Sequence, residues 1–247
     1  MHRCISLVAL VAGVAIASSA VAGQLTYTSL PFPTPENRAN DLAAANATQT
    51  TFLGTLSSFG TETLDEFTSG QLGATASQAL TFGASGITAT ARFSGAFSVP
   101  ALPVSTPIAL VEQPATAGQP AYNNDITFNA PVTAFGSYII QAGDVDANTI
   151  TLRLENTILG TSEDVVIGTI GPGASFANVF YFGVTDTDPF NKVTMLFSNS
   201  GDGVLFDNIT AGNVAVPEPS SLLLLTVGAV LPYLSWRSRR VKMGRAG

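Results

Sequence analysis

Thr149-Ile150-Thr151-Leu152-Arg153-Leu154-Glu155 alternates polar and apolar side chains over seven residues. A period of two sends successive side chains to opposite faces of an extended chain, so Ile150, Leu152 and Leu154 face a core while Arg153 and Glu155 face water. The pattern recurs. Ile87, Ala89, Ala91 and Phe93 alternate with Thr88, Thr90 and Arg92. Ile126 with Phe128, Val193 with Met195 and Phe197, and Leu205 with Asp207 and Ile209 behave alike. Short apolar runs follow at Ala134 to Ile140, Val165 to Ile170 and Val179 to Val184. Turn signals separate them: Asn123-Asn124-Asp125, Gly143-Asp144, Gly171-Pro172-Gly173, Asp188-Pro189 and Gly201-Asp202-Gly203. Seven to nine short strands rich in Thr and β-branched residues predict an all-β fold, an antiparallel β-sandwich or jelly-roll-like body.

One short N-terminal helix is expected near the start of the body. Thr34 is a candidate cap, Pro35 suits a first turn, and Asn37 to Thr48 is rich in Ala; Phe52, Leu53 and Leu56 extend it or begin another element. Val99 to Pro120 holds five prolines and reads as a long extended excursion between strands. No internal repeat is evident.

The charges are sparse and unevenly placed. Charged residues make up 11% of the 247, far below the ~25% of an average soluble protein. Between Gly23 and Ala215 the only bases are Arg38, Arg92, Arg153 and Lys192, against sixteen acids, a net −12. From Val216 onward the balance is +4. A net charge of −7 over the whole chain argues against nucleic-acid binding, which needs clustered Lys and Arg. The asymmetry points to two environments in one chain.

Residues 1–22 read as a signal peptide: Arg3, an apolar core from Ile5 to about Ala17, then the small residues Ala20-Val21-Ala22, with cleavage expected after Ala22. His2 and Cys4 lie inside it, so the mature chain is expected to hold neither His nor Cys. That excludes disulfides, Ser-His-Asp or Cys-His catalysis and His/Cys zinc sites from the body. Residues 23–215 form the expected ectodomain. At the other end, Pro217-Glu218-Pro219 precedes an apolar run. Residues 220–236 carry no charge and, as a helix, are about 25 Å long, enough to span a thin lipid bilayer. Arg237, Arg239, Arg240 and Lys242 then form a basic stop suited to the cytoplasmic side, within a basic tail 237–247. The two prolines lack N–H donors and keep the motif extended ahead of the helix, as a processing enzyme requires.

This tripartite end, residues 216–247, resembles the PEP-CTERM sorting signal of exported bacterial proteins. The resemblance implies an exosortase as processing partner, first an inner-membrane anchor and then a cell-surface or extracellular destination, and a context of exopolysaccharide and biofilm production. The body is also similar to other exported domains with this tail. The likeness runs from Phe52-Leu53-Gly54 to Thr63-Leu64-Asp65-Glu66-Phe67, and from Phe182-Gly183-Val184 to the Phe206-Asp207-Asn208-Ile209 close. In the first stretch the order of acids and aromatics departs from the family pattern.

Carboxylates and amides are the body's reactive inventory. Asp144, Asp146 and Asn148 have a D-x-D-x-N spacing but satisfy only half of a Ca²⁺-loop pattern, and a polar turn leading into the strand at Ile150 is the better explanation. Asp65 and Glu66, with Asp207 from the last strand, are a second candidate Ca²⁺ set, for which a surface acid or Asx turn is the plain alternative. Tyr122, Tyr138 and Tyr181 are candidates for stacking on sugars or for the core. Gly171-Pro172-Gly173 lacks the Lys of a phosphate loop. These features predict a non-enzymatic surface or matrix protein with a structural, adhesive or carbohydrate-binding ectodomain. The alternative is a carboxylate-dependent polysaccharide hydrolase, which requires two facing acids in a groove where a binding module requires an aromatic strip.

Overall fold

The structure is a computed structural model. It describes residues 23–31, 38–65, 77–92, 97–98, 108–111, 124–140, 147–171, 178–198 and 204–214. The expected signal peptide, the sorting motif, the apolar span and the basic tail lie outside the described residues, as do Thr34, Pro35, Glu66, Tyr122, Asp144 and Asp146. Among the described residues no helix is long and apolar enough to cross a membrane.

The described chain forms β1 (Leu25–Thr28), α1 (Arg38–Leu53), β2 (Leu56–Glu62), β3 (Gln78–Thr81), β4 (Thr88–Arg92), β5 (Phe97–Ser98), β6 (Ile108–Val111), β7 (Asp125–Ile140), β8 (Asn148–Asn156), β9 (Thr161–Ile170), β10 (Val179–Phe197) and β11 (Val204–Val214). The fold is thus mostly β with one helix, and every strand pair is antiparallel. Helix α1 ends at Leu53, so the apolar Phe52 belongs to its last turn, while Leu56 opens β2.

Two strands are much longer than the alternation suggested. The runs around Ile126 and Ala134 to Ile140 are one strand, β7, and those at Val179 and Val193 are another, β10. Asp188-Pro189, which reads as a turn, lies within β10. The register explains how. Ala134 faces Thr185 and Val132 faces Phe190, so β10 inserts extra residues here; then Val132 to Thr127 oppose only Phe190 to Lys192, so β7 inserts extra residues next. Bulges of this kind bend strands and leave ladder positions unpaired, which is where proline is tolerated. Hydrogen bonds between the β8–β9 turn and β10 hold the β10 bulge in place. Asn156 Nδ2 donates to the Pro189 carbonyl at 2.8 Å, and Asn191 Oδ1 accepts from the Thr157 N–H at 2.8 Å.

The bend divides one hydrogen-bonded sheet into two layers. The first contains β1, residues 179–185 of β10, residues 132–140 of β7, β11, β2, β6 and β5. The second contains β3, β4, residues 125–128 of β7, residues 192–197 of β10, β8 and β9. Phe135, Phe182, Phe206 and Ile209 from the first layer share a core with Ala91, Phe128, Leu152 and Met195 from the second. Phe197 and Phe206 meet across it with ring centroids 6.1 Å apart. Alternation therefore decides the inner face of the second layer as the sequence indicates: Ile150, Leu152 and Leu154 are buried and Arg153 is exposed.

The first layer is covered on its other face by α1. Ala45 and Phe52 pack on Ala134, Tyr138, Ile140, Val179, Tyr181 and Leu205. The Phe52 ring rests on two glycines paired across β7 and β10, Gly136 and Gly183. A Cβ on Gly183 would stand 2.5 Å from Phe52 Cδ2. Only bare backbone admits the ring this close.

Gly183→Val is therefore expected to destabilise the fold by about 1–3 kcal/mol through overpacking, and Phe52→Ala by about 3–5 kcal/mol through the cavity it leaves. Denaturant unfolding followed by tyrosine fluorescence measures both. Equal stability of Gly183→Val and the parent would show that the ring does not sit on this glycine pair.

Candidate functional site

Among the described residues, α1 packs over the outer face of the first layer, and the outer face of the second layer has no such cover. Its outward side chains form two rows in strict register. One runs Arg92, Asp125, Thr194, Arg153, Asp164 across β4, β7, β10, β8 and β9. The next runs Ala79, Thr90, Thr127, Lys192, Glu155, Ser162 and adds β3. Thr81, Thr88 and Asn129 flank the second row at the β3 end.

Three of the four cations between Gly23 and Ala215 lie here, each tied to a carboxylate. Arg92 grips Asp125 with two parallel bonds, Nε to Oδ1 at 2.9 Å and Nη2 to Oδ2 at 2.7 Å. Arg153 grips Asp164 in the same way at 2.7 and 2.9 Å. Lys192 Nζ lies 2.8 Å from Glu155 Oε2 and 3.9 Å from Asp125 Oδ2. Asp125 is buried beneath its partners although it belongs to the outer face. The hydrogen bonds to Asp125, and secondarily its charge, raise the Arg92 pKa; Asp164 does the same to Arg153. In return, the Arg153 hydrogen bond holds the Asp164 carboxyl below its usual range. Bidentate pairs fix side-chain geometry more than they add stability at an exposed site.

The β3 end of this face is concave. A trough of about 400 Å³ is lined by Ala79, Thr81, Thr88, Thr90, Thr127 and Asn129, over the backbone of Leu80, Ala89 and Phe128, whose side chains turn into the core. Its exposed groups are hydroxyls and an amide. A second cavity, about 180 Å³, lies where β9 meets the β10 bulge and is lined by Asn156, Thr161, Glu163, Asp186, Asp188 and Pro189 among others. Asp186 Oδ1 accepts the Asp188 N–H at 2.9 Å, which closes a tight turn.

The residues singled out by sequence lie elsewhere. Asp207 is fully buried on β11, facing Tyr138 across the strand pair, and its Oδ1 accepts the N–H of Asn208 at 2.7 Å. Asp65 is exposed in the turn after β2, and Glu66 is outside the described residues. Among the described residues no three or more His, Cys, Asp or Glu side chains are grouped to hold a metal ion. Asn148 is buried at the start of β8. Tyr138 and Tyr181 are core residues under α1, their rings 5.0 Å apart and edge-on, so neither forms a sugar-stacking strip. The Tyr138 hydroxyl lies 2.7 Å from Asn46 Oδ1 and 2.8 Å from Gln49 Oε1. A phenol has one proton, so it donates to one amide while the other must present its NH₂ group.

Sequence reading missed the paired rows. The signal was present, since Arg92, Arg153 and Lys192 all fall at outward strand positions, but register between strands distant in sequence is not written in any one of them. It also missed Glu62. This buried acid accepts the Leu64 and Thr81 N–H groups, each at 2.9 Å, and thereby holds Leu64 in a left-handed conformation with φ 61°.

Residues 215–240 match the family model described as the PEP-CTERM protein-sorting motif, so the chain carries that sorting signal. The motif marks an exported protein and implies exosortase processing. No curated protein matches the chain. Among solved structures, a point mutant of the carbohydrate-binding module CBM29-2 is 15% identical, covering 66% of this chain and 97% of that one, with a TM-score of 0.33. A family 29 carbohydrate-binding module is also 15% identical, at 67% and 97% coverage with a TM-score of 0.32. The CBM22-1–GH10 modules of Clostridium thermocellum xylanase 10B, complexed with xylohexaose, are 10% identical, at 64% and 28% coverage with a TM-score of 0.36.

Two pH effects follow. Burial, with a smaller contribution from Asp207, pushes the Tyr138 pKa up to about 12, and burial moves Tyr181 in the same direction. A raised tyrosine pKa favours the protonated folded state. Its stabilisation is complete below the unfolded value near 10 and lost as pH climbs toward 12, at about 1.4 kcal/mol per pH unit per group. Unfolding at pH 8 and 11.5 should show Tyr138→Phe less stable at the lower pH yet less sensitive to the rise. At the acid end, the lowered Asp164 pKa means its contribution, about 0.2–1 kcal/mol at this exposure, is present above pH 4 and lost below. Arg153→Gln should remove that dependence in acid titrations of melting temperature.

Proposed function

We propose that this chain is an exported, non-catalytic surface or matrix protein whose body binds polysaccharide through the outer face of its second layer. The supporting observation is the outer face itself: in-register rows of fixed ion pairs and threonines, continuous over up to six strands and leading into a hydroxyl-lined trough. Such a face can meet the many hydroxyls of an extended sugar chain with oriented donors and acceptors. In this reading, residues 220–236 span the inner membrane, Arg237, Arg239, Arg240 and Lys242 stay on the cytoplasmic side, and an exosortase acts at Pro217-Glu218-Pro219 before the body reaches the surface. Exopolysaccharide of the producing cell is then the natural ligand.

A second reading, a carboxylate-dependent polysaccharide hydrolase, is favoured by one observation: Glu163, Asp186 and Asp188 line the same cavity. It needs one carboxyl as acid and another as base or nucleophile at a set separation.

Pull-down of the full-length chain on insoluble exopolysaccharide should retain it, while release of reducing ends stays at background and Glu163→Gln changes neither result. Sustained release of reducing ends that Glu163→Gln abolishes would establish the hydrolase instead. Glu218→Ala combined with Pro217→Ala should leave the chain at full length in the membrane fraction; unchanged processing would remove the motif from this account.

A further inference from the structure

Resting on the polysaccharide-binding reading, we infer that the ligand is an uncharged glycan and that its anchoring subsite is the trough between β3, β4 and β7. Two independent observations converge on this. The first is electrostatic. An acidic glycan, whether uronate or sulfate ester, requires cations free to approach it. On this face Arg92 and Arg153 each commit two nitrogens to a carboxylate, and Lys192 lies between Asp125 and Glu155. Between Gly23 and Ala215 the balance is four bases to sixteen acids, so the long-range field also repels polyanions. Each guanidinium is already neutralised by its carboxylate, so an anion would meet only the remaining N–H donors of a neutral pair, or would have to displace the carboxylate and, at Arg92, uncover the buried Asp125.

The second observation is the chemistry of the trough. Thr81, Thr88, Thr90 and Thr127 are exposed, and they present hydroxyls that both donate and accept. Asn129 Oδ1 accepts the Thr88 N–H at 3.0 Å, which fixes the amide and directs its NH₂ donors outward. Among the described residues the walls are uncharged, and the volume of about 400 Å³ lies within the usual range for small-molecule sites. Neutral donors and acceptors beside the threonine methyl groups and Ala79 complement the alternating hydroxyl and C–H surface of a neutral sugar. Lys192 and Glu155 continue the same row away from the trough, so a linear chain anchored there would run on over paired charges.

The test uses the full-length chain in a polyoxyethylene detergent, which carries no sugar headgroup to compete. Affinity electrophoresis is run with soluble uncharged probes, galactomannan, xylan and hydroxyethyl cellulose, and with two polyanions, alginate and dextran sulfate. At least one uncharged probe should retard the protein, with an affinity that changes less than twofold between 50 and 500 mM salt. Thr90→Val with Thr127→Val keeps the shape and β-branching while deleting two hydroxyls. It should weaken binding about tenfold with little change in melting temperature, whereas Thr151→Val, on the same face outside the trough, should leave affinity unaltered. Salt-sensitive binding to the polyanions alone would overturn the inference and leave polysaccharide binding standing. Full affinity in the Thr90→Val, Thr127→Val variant would overturn the subsite. No retardation by any of the five probes would reject both the inference and the reading beneath it.

Discussion

The pairing of β7 with β10 is the interaction on which the rest of this structure depends. These two strands run together from Val179 opposite Ile140 to Thr194 opposite Asp125, and they take part in both layers. Reciprocal bulges let the pair bend without breaking. Without the bend the inner faces of the two layers could not meet, and Phe135, Phe182 and Phe206 would have no partners in Phe128, Leu152 and Met195. The polar side chains that fasten the bulge, Asn156 and Asn191, are structural for the same reason: they satisfy backbone groups that the interrupted ladder leaves over.

The bend also decides which surface is available. Helix α1 covers the outer face of the first layer by seating Phe52 on Gly136 and Gly183, and that face is a second core lined by tyrosines and the buried Asp207. The second layer has no such cover among the described residues. Its outward positions therefore carry charge and hydroxyl, and three of the four cations that a mostly acidic body retains are gathered there in neutral pairs. A surface held this way is ordered and polar but nearly without net charge along its rows.

Much of this was legible before folding was considered. Alternation located β4 and β8 and their inward residues Ala89, Ala91, Ile150, Leu152 and Leu154, while Phe93 lies outside the described residues, because a half-buried strand in a sandwich shows one face to each medium. It failed where that premise fails. Tyr138 and Tyr181 lie in a layer buried on both faces, so their polar hydroxyls say nothing about exposure. Asp188-Pro189 has the composition of a turn, yet a bulge asks for the same residues, since both need an unpaired backbone. Glu62 sits at an inward strand position that chemistry alone would assign to water, and only the Leu64 and Thr81 N–H groups explain its burial.

The amino-acid sequence by itself determined the all-β character, the acidic body with its basic end, and the sorting signal at residues 215–240. These are local properties: period, charge and a motif of adjacent residues each reside in a short stretch of chain. Only the tertiary structure decided that Arg92, Asp125, Thr194, Arg153 and Asp164 form one row, that four threonines and Asn129 enclose a trough, and that Asp207 is withdrawn beneath a helix. Those juxtapositions join elements separated by more than a hundred residues. Register across such distances is set by the bulges and by packing of the whole core, which no single segment encodes.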